Sequence, residues 1–260
     1  MTGTARAAAL VREPSPQLAE GEVTFLARTP LDLQRARVQH AAYLDLLGRL
    51  GLEVVHAPPA PDHPDGVFVE DAVVVVDQLA VLTRSGATSR RGETDSLRPV
   101  LAERGLTLAT IAAPGTLDGG DVLQVGDVIY VGRTTRTNDA GTAQLRDLVS
   151  PLGRTVTTVE VAGALHLKTA ATALPDGRIL AGFGHVPAAG FSGREVIDAQ
   201  EPSGADVLLV GDAVVIAASA PRTAAMLSAR GYRVQQVDIG EFEKVEAGPT
   251  CLSVLLPPRW

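Results

Sequence analysis

The chain has 260 residues, with 23 Lys and Arg against 30 Asp and Glu for a net charge of −7, and its 45% hydrophobic content suits a packed core rather than a disordered tail. That acidic balance excludes a broad basic face for nucleic acid or anionic membrane, and no apolar run approaches the ~18 residues that span a bilayer. A lone cysteine, Cys251, excludes an internal disulfide framework, so a protein of a reducing compartment, the cytoplasm, is expected.

The stretch from Met1 to Pro16 carries Arg6, Arg12 and Glu13 around Ala-Ala-Ala-Leu, too short an apolar segment for a signal peptide. Thr29-Pro30 predicts a helix start, a capping hydroxyl followed by proline. Leu33, Val38, Leu46, Leu47 and Leu50 give that helix its apolar stripe. Gly51 ends it, and residues 52–55 read as a strand. Residues 67–76 and 79–83 read as paired strands around Asp77-Gln78. A helix over 95–104, a stop at Gly105 and a strand over 106–108 follow.

The same order returns downstream. Strands at 122–125 and 128–131 flank Gly126-Asp127, a helix spans 138–152, Gly153 stops it, and a strand runs over 156–161. Strands at 169–174 and 179–181 flank Pro175-Asp176-Gly177, with residues 195–200 as the short helix of a truncated unit. Strands at 207–210 and 214–217 flank Gly211-Asp212, a helix covers 221–230, Gly231 stops it, and 232–237 is a strand. A Gly-Pro turn then delivers Cys251 onto a final apolar strand.

The repeating unit is strand, strand, helix, strand, with a period of roughly 40–50 residues as in propeller-like arrays. An ordinary α/β sandwich has a similar rhythm and stays open on periodicity alone. No linker or low-complexity stretch divides the chain, so residues 1–260 read as one domain. With aromatics at only 3%, Ala, Val and Leu must fill the core.

Chemistry-bearing residues are few. A lone free cysteine is most often structural and buried; Cys251 becomes a nucleophile only if a base accompanies it, and His166, in an apolar stretch, is the candidate. His40, His56, His63 and His185 read as structural or surface residues. No His or Cys pair has metal-ligand spacing, so neither a metal nor a cofactor is expected. Two acidic clusters interrupt apolar segments: Asp65 with Glu70-Asp71, and Asp118 with Asp121. Carboxylates there are costly unless paired or facing a cation. Gly119-Gly120 lets turn chemistry account for Asp118 and Asp121, whereas Glu70-Asp71 has no turn residue beside it. Arg90 and Arg136 each precede a predicted helix, where positive charge is unfavourable without an anionic partner.

Six segments in order, Phe68-Val69-Glu70-Asp71, Ser89-Arg90-Arg91-Gly92-Glu93, Thr116-Leu117-Asp118-Gly119-Gly120-Asp121, Arg136-Thr137-Asn138, Leu165-His166-Leu167-Lys168 and Thr250-Cys251-Leu252-Ser253-Val254-Leu255, closely resemble the dimethylarginine dimethylaminohydrolases. These belong to the guanidine-modifying, or amidinotransferase, superfamily. The resemblance implies an α/β fold, the pentein: a five-bladed αβ-propeller of strand-strand-helix-strand units about a pseudo-fivefold axis. It implies hydrolysis of Nω-methylated arginine to citrulline and a methylamine, with Cys251 as nucleophile, His166 as general acid/base and Asp118 orienting the histidine. Glu70 and Asp71 would bind the guanidinium with Asp65 close by, and Arg90 and Arg136 would hold the α-carboxylate. Leu18 would match the leucine of the mobile lid, and Val245 a backbone carbonyl that contacts substrate.

The implied partner is a small cationic guanidino compound, without nucleic acid, membrane or cofactor, and oligomeric state, a homodimer included, stays open. The alternatives are a sister enzyme acting on arginine or another substituted guanidine, and a non-catalytic pentein binding protein. Acidic surroundings should disfavour a resting thiolate, so the cationic substrate is expected to assist ionisation of Cys251.

Overall fold

The structure, a computed structural model, describes residues 6–182, 184–191 and 193–258. Gly51, Gly105, Gly153 and Gly231 have φ of +95°, +82°, +74° and +90°, the left-handed backbone that ends a helix without a Cβ clash. Each turns the chain from a helix into an outer strand.

β1 (Ala8–Val11) leads through α1 (Leu33–Arg49) to β2 (Glu53–His56), parallel to β1. β3 (Val73–Val76) and β4 (Leu79–Leu82) form a hairpin, and α2 (Leu97–Glu103) returns the chain to β5 (Thr107–Thr110), parallel to β4. β6 (Val122–Val125), β7 (Val128–Arg133), α3 (Asp139–Val149) and β8 (Thr155–Glu160) repeat the plan. After the single turn α4 (Leu167–Ala170) come β9 (Ala171–Ala173), β10 (Ile179–Ala181) and β11 (Val196–Asp198). β12 (Val207–Val210), β13 (Ala213–Ala217), α5 (Pro221–Ala229) and β14 (Arg233–Val237) make the next sheet. The short α6 (Gly240–Glu243) then leads to β15 (Val254–Leu256), which pairs antiparallel with β1.

Among the described residues five three-stranded sheets result, each with one antiparallel and one parallel pairing. They are the blades of a five-bladed αβ-propeller. The first strand of each blade, with β15 serving the blade of β1 and β2, lies inside, where β15 touches β3 and β9 touches both β6 and β12. Outer strands such as β5 are largely exposed. Between blades the core is aliphatic; Leu10, Val69, Val73, Leu82, Leu97 and Val254, for example, form one cluster. A cavity of about 210 Å³ runs among the inner strands, with Glu70, Lys168, Thr250 and Ser253 among its lining residues. Among the described residues no helix is long and apolar enough to cross a membrane.

Four local expectations need correction. α1 starts at Leu33, because the Asp32 carboxylate accepts hydrogen bonds from the Gln34 and Arg35 amides; Thr29-Pro30 lies ahead of the helix. Val38 is 70% exposed, and the buried face is formed instead by Ala36, Gln39, His40, Tyr43, Leu46 and Leu47. Residues 195–200 contain β11 rather than a helix, and a 3₁₀ turn at Ala188–Phe191 takes the helix's place. Residues 67–72 are not strand: Val69–Ala72 is a 3₁₀ turn that feeds β3.

Candidate active site

One short segment precedes the inner strand of every blade but that of β15, which has a turn instead. Val69–Ala72 precedes β3, Gly119–Asp121 precedes β6, α4 precedes β9, Pro202–Ala205 precedes β12, and the turn at Gly248–Cys251 precedes β15. Inner strands converge on the axis, so side chains at their starts converge too. This is how Asp71, Asp118, His166 and Cys251, far apart in sequence, come together.

A cavity of about 20 Å³ lies at this end, lined by Glu22, Asp65, Phe68, Asp71, Arg90, Arg136, Leu165, His166, Val245, Glu246, Ala247 and Cys251. Of the residues expected at the site, Asp65, Asp71, Arg90, Arg136, His166, Val245 and Cys251 share this wall. Glu70 and Asp118 stand behind it. Leu18 does not reach it: the side chain is fully buried in a hydrophobic cluster, and Glu22, four residues on, faces the cavity instead.

His166 Nε2 lies 3.2 Å from Asp118 Oδ2 and its Nδ1 3.7 Å from Asp71 Oδ1. Asp121 braces the next residue, accepting from the Leu167 amide at 3.0 Å and from the hydroxyls of Thr134 and Thr137 at 2.6 Å each. Gly120 is obligatory: a Cβ there would sit 2.6 Å from His166 Nδ1 and 2.7 Å from Asp71 Oδ1. Burial of the imidazole opposes its charge, but Asp71, Asp118 and Asp121 outweigh burial and push its pKa up to about 9. Asp71, Asp118 and His166 place donor atoms within 4.8 Å of one another. The cation that these carboxylates share is the imidazolium itself.

Arg90 braces Asp71. Its Nη1 donates to Asp71 Oδ2 at 2.6 Å, Nε and Nη2 grip Glu93 bidentately at 2.9 and 2.8 Å, and Nη2 also reaches the carbonyls of Asp65 and Phe68. Burial would raise the Asp71 carboxyl, yet His166 and Arg90 hold it down at about 2. Arg136 differs. Its Nη1 is buried and has no hydrogen-bond partner among the described residues, while Nη2 lies 3.6 Å from Glu22 Oε2. An unsatisfied buried guanidinium nitrogen on a cavity wall fits an anionic ligand.

Cys251 lies in the turn ahead of β15 rather than on the strand. That turn is pinned from several sides. The Tyr43 hydroxyl of α1 donates to the Pro249 carbonyl at 2.9 Å, the Glu70 amide donates to the Cys251 carbonyl, and the Gly248 amide donates to Cys251 Sγ at 3.4 Å. Burial first, then the charges of Asp206 when it is ionised, of Glu70 and of Asp71, push the thiol pKa well up. The resting site therefore holds a neutral thiol and a charged imidazole.

Glu22 lines the cavity, and its segment, residues 21–26, is held by two carboxylates. The Glu22 amide donates to both Asp65 oxygens at 3.1 Å, and the Glu246 carboxylate accepts from the amides of Thr24, Phe25 and Leu26. Glu246 has φ of +64°, a strained conformation for a side-chain-bearing residue. Glu22, Glu246, Asp206 and Thr250 were not singled out by sequence reasoning. Glu22 and Glu246 lie in stretches without a chemical motif, and only the fold brings them to the cavity.

No family model matches the chain. It is 50% identical over 251 residues to the N(G),N(G)-dimethylarginine dimethylaminohydrolase of Streptomyces coelicolor, covering 95% of this chain and 96% of that one. The enzyme of that name from Pseudomonas aeruginosa is 34% identical over 254 residues, covering 94% and 97%. A crystal structure of a dimethylarginine dimethylaminohydrolase adduct with S-methyl-L-thiocitrulline matches with a TM-score of 0.91 at 32% identity, over 96% of this chain and 100% of that one. The N-terminal domain of a cyanobacterial arginine dihydrolase matches at 0.82 and 19% identity, over 97% and 98%, a likeness in fold alone. The propeller is thus the pentein, the fold of cysteine-dependent amidine hydrolases. Within that class, the chain belongs to the dimethylarginine dimethylaminohydrolase family.

Proposed function

We propose that the chain hydrolyses Nω-methylated arginine to citrulline and methylamine or dimethylamine through a covalent intermediate on Cys251. The observation that carries this reading is the cavity in which a thiol, an imidazolium and a fixed carboxylate face a buried arginine with a free Nη1. It offers a negative end for a guanidinium and a positive end for an α-carboxylate. Asp71, braced by Arg90, takes the guanidinium, with Glu70 behind it and Asp65 beside it. Arg136 takes the carboxylate, with Arg90 next to it, and the Val245 carbonyl contacts the substrate.

A bound guanidinium offsets the carboxylate field that keeps Cys251 neutral, so the thiol loses its proton to solvent as substrate arrives. The thiolate attacks the guanidinium carbon and forms a C–S bond. The His166 imidazolium, oriented by Asp118, protonates the departing amine as the C–N bond breaks. The neutral imidazole then takes a proton from water; the hydroxide adds to the thiouronium carbon, and the C–S bond breaks as the added hydroxyl's proton passes to the departing sulfur, releasing citrulline and restoring the thiol. The whole chain acts as one pentein domain on a small cationic substrate in the cytoplasm, without a cofactor.

The cavity is too small for a methylated arginine, so residues 21–26 must move for substrate to enter. Glu22 competes with the substrate's carboxylate for Arg136, and its other oxygen accepts from Ser89 Oγ at 2.6 Å. Glu22→Gln weakens this competitor. KM for dimethylarginine is expected to fall about twofold to fivefold, as for an ion pair with one exposed partner, with a smaller change in kcat. Steady-state kinetics check this, and a raised KM would assign Glu22 to substrate binding instead.

A further inference from the structure

Four blades place a reacting or orienting group ahead of their inner strands: Asp71, Asp118, His166 and Cys251. The remaining blade places Asp206 there, directly before β12. Asp206 is 4% exposed, and the mechanism above gives it no role. We propose that Asp206 is a positioning residue that acts as a neutral acid, its carboxyl proton completing a hydrogen-bonded chain from Asp206 through Thr250 to Glu70 that fixes the nucleophile's turn. This rests on Cys251 being the nucleophile.

Thr250 Oγ1 lies 2.9 Å from Glu70 Oε2 and 3.3 Å from Asp206 Oδ2. A hydroxyl carries one proton and can serve only one of two ionised carboxylates. Lys168 Nζ binds Glu70 Oε1 at 2.6 Å and keeps the negative charge on Glu70. Thr250 therefore donates to Glu70, and Asp206 donates to Thr250. The other Asp206 oxygen accepts from the Thr250 amide at 3.1 Å.

The approach is close at both ends of the turn, since a Cβ on Gly248 would sit 2.2 Å from Asp206 Oδ2. Facing Asp206 are Glu70, Lys168, Cys251 and, from α1, Tyr43. Across a cavity of about 370 Å³ that it also lines are His185, Glu243 and Glu246. Burial and the Glu70 charge raise its pKa to about 7, in keeping with a proton held there. Ionised, Asp206 would add a negative charge behind Cys251 and oppose the thiolate.

Asp206→Asn supplies an amide that donates to Thr250 Oγ1 and a carbonyl that accepts from its amide, so it mimics the neutral acid. The variant should keep kcat within about threefold, whereas Asp206→Ala, which removes the acceptor of the Thr250 amide and the donor to its hydroxyl, should lose about tenfold to a hundredfold. Two readouts need no substrate. The infrared difference between wild type and Asp206→Asn below about pH 6 should contain a protonated-carboxyl C=O stretch, which disappears as pH rises through about 7. Iodoacetamide alkylation of the free protein below about pH 6 should run at the same rate in wild type and Asp206→Asn, because both hold a neutral group behind Cys251. Absence of that stretch, or an Asn variant as impaired as the Ala variant, would overturn the proposal. A wild type without citrulline production would instead overturn the hydrolase reading, and the infrared result would still decide the proton on Asp206.

Discussion

Cys251→Ser folds as the parent does and loses citrulline production by about a thousandfold or more. The loss follows from the nucleophile. A hydroxyl has a far higher pKa than a thiol, and this site already pushes its nucleophile's pKa upward through burial and the charges of Glu70 and Asp71. The cation that enables thiol ionisation cannot bring a serine hydroxyl into range. The fold is spared because Cys251 Sγ accepts only a weak bond from the Gly248 amide, while Tyr43 and Asp206 hold the turn through its neighbours Pro249 and Thr250. Thermal or denaturant unfolding should show a change within about 1 kcal/mol. Intact-mass analysis should find a substrate adduct on the parent and none on the variant. A serine variant that still turns over would reject the covalent mechanism.

The second large effect is expected from His166→Asn, with kcat lowered about a hundredfold to ten-thousandfold. His166 is charged at neutral pH because its pKa is about 9, so in the resting protein it is an acid awaiting a leaving group. Without it the amine must depart unprotonated. A substrate whose leaving group needs no proton, such as an S-alkylthiocitrulline, should recover adduct formation in the variant. The charge also bears on stability. A histidine pKa raised from 6.5 to about 9 stabilises the fold fully below about pH 6.5, and this contribution is lost as pH rises through about 9. The melting temperature of the parent should therefore decline across that window, and that of His166→Asn should decline less. A parent with a flat profile there would mean that Asp71, Asp118 and Asp121 do not hold a charged histidine.

The repeat was legible because its punctuation is local. Helix stops at Gly51, Gly105, Gly153 and Gly231 need left-handed backbone, and the hairpin turns at Asp77, Gly126, Gly177 and Gly211 need it as well. Closure of the first blade was not legible, since the pairing of β1 with β15 joins segments some 250 residues apart. The blade of β9 to β11 misled for a different reason: a 3₁₀ turn and an extended crossing replace its helix. The motif segments name residues that the fold brings to one cavity, Asp71, His166 and Cys251 among them. Asp206 is in none of those segments and meets Thr250 only through the fold. Leu18 packs in one hydrophobic cluster with Phe68, Val245 and Cys251, while Glu22, four residues on, faces the cavity.

Direct assay of products is the most immediate test of the central claim. The protein is incubated separately with asymmetric dimethylarginine and with arginine, and citrulline, dimethylamine and ammonia are measured in the same samples. Citrulline and dimethylamine should form in equal amounts from dimethylarginine, with no citrulline from arginine. Citrulline and ammonia from arginine, with dimethylarginine left intact, would contradict the account.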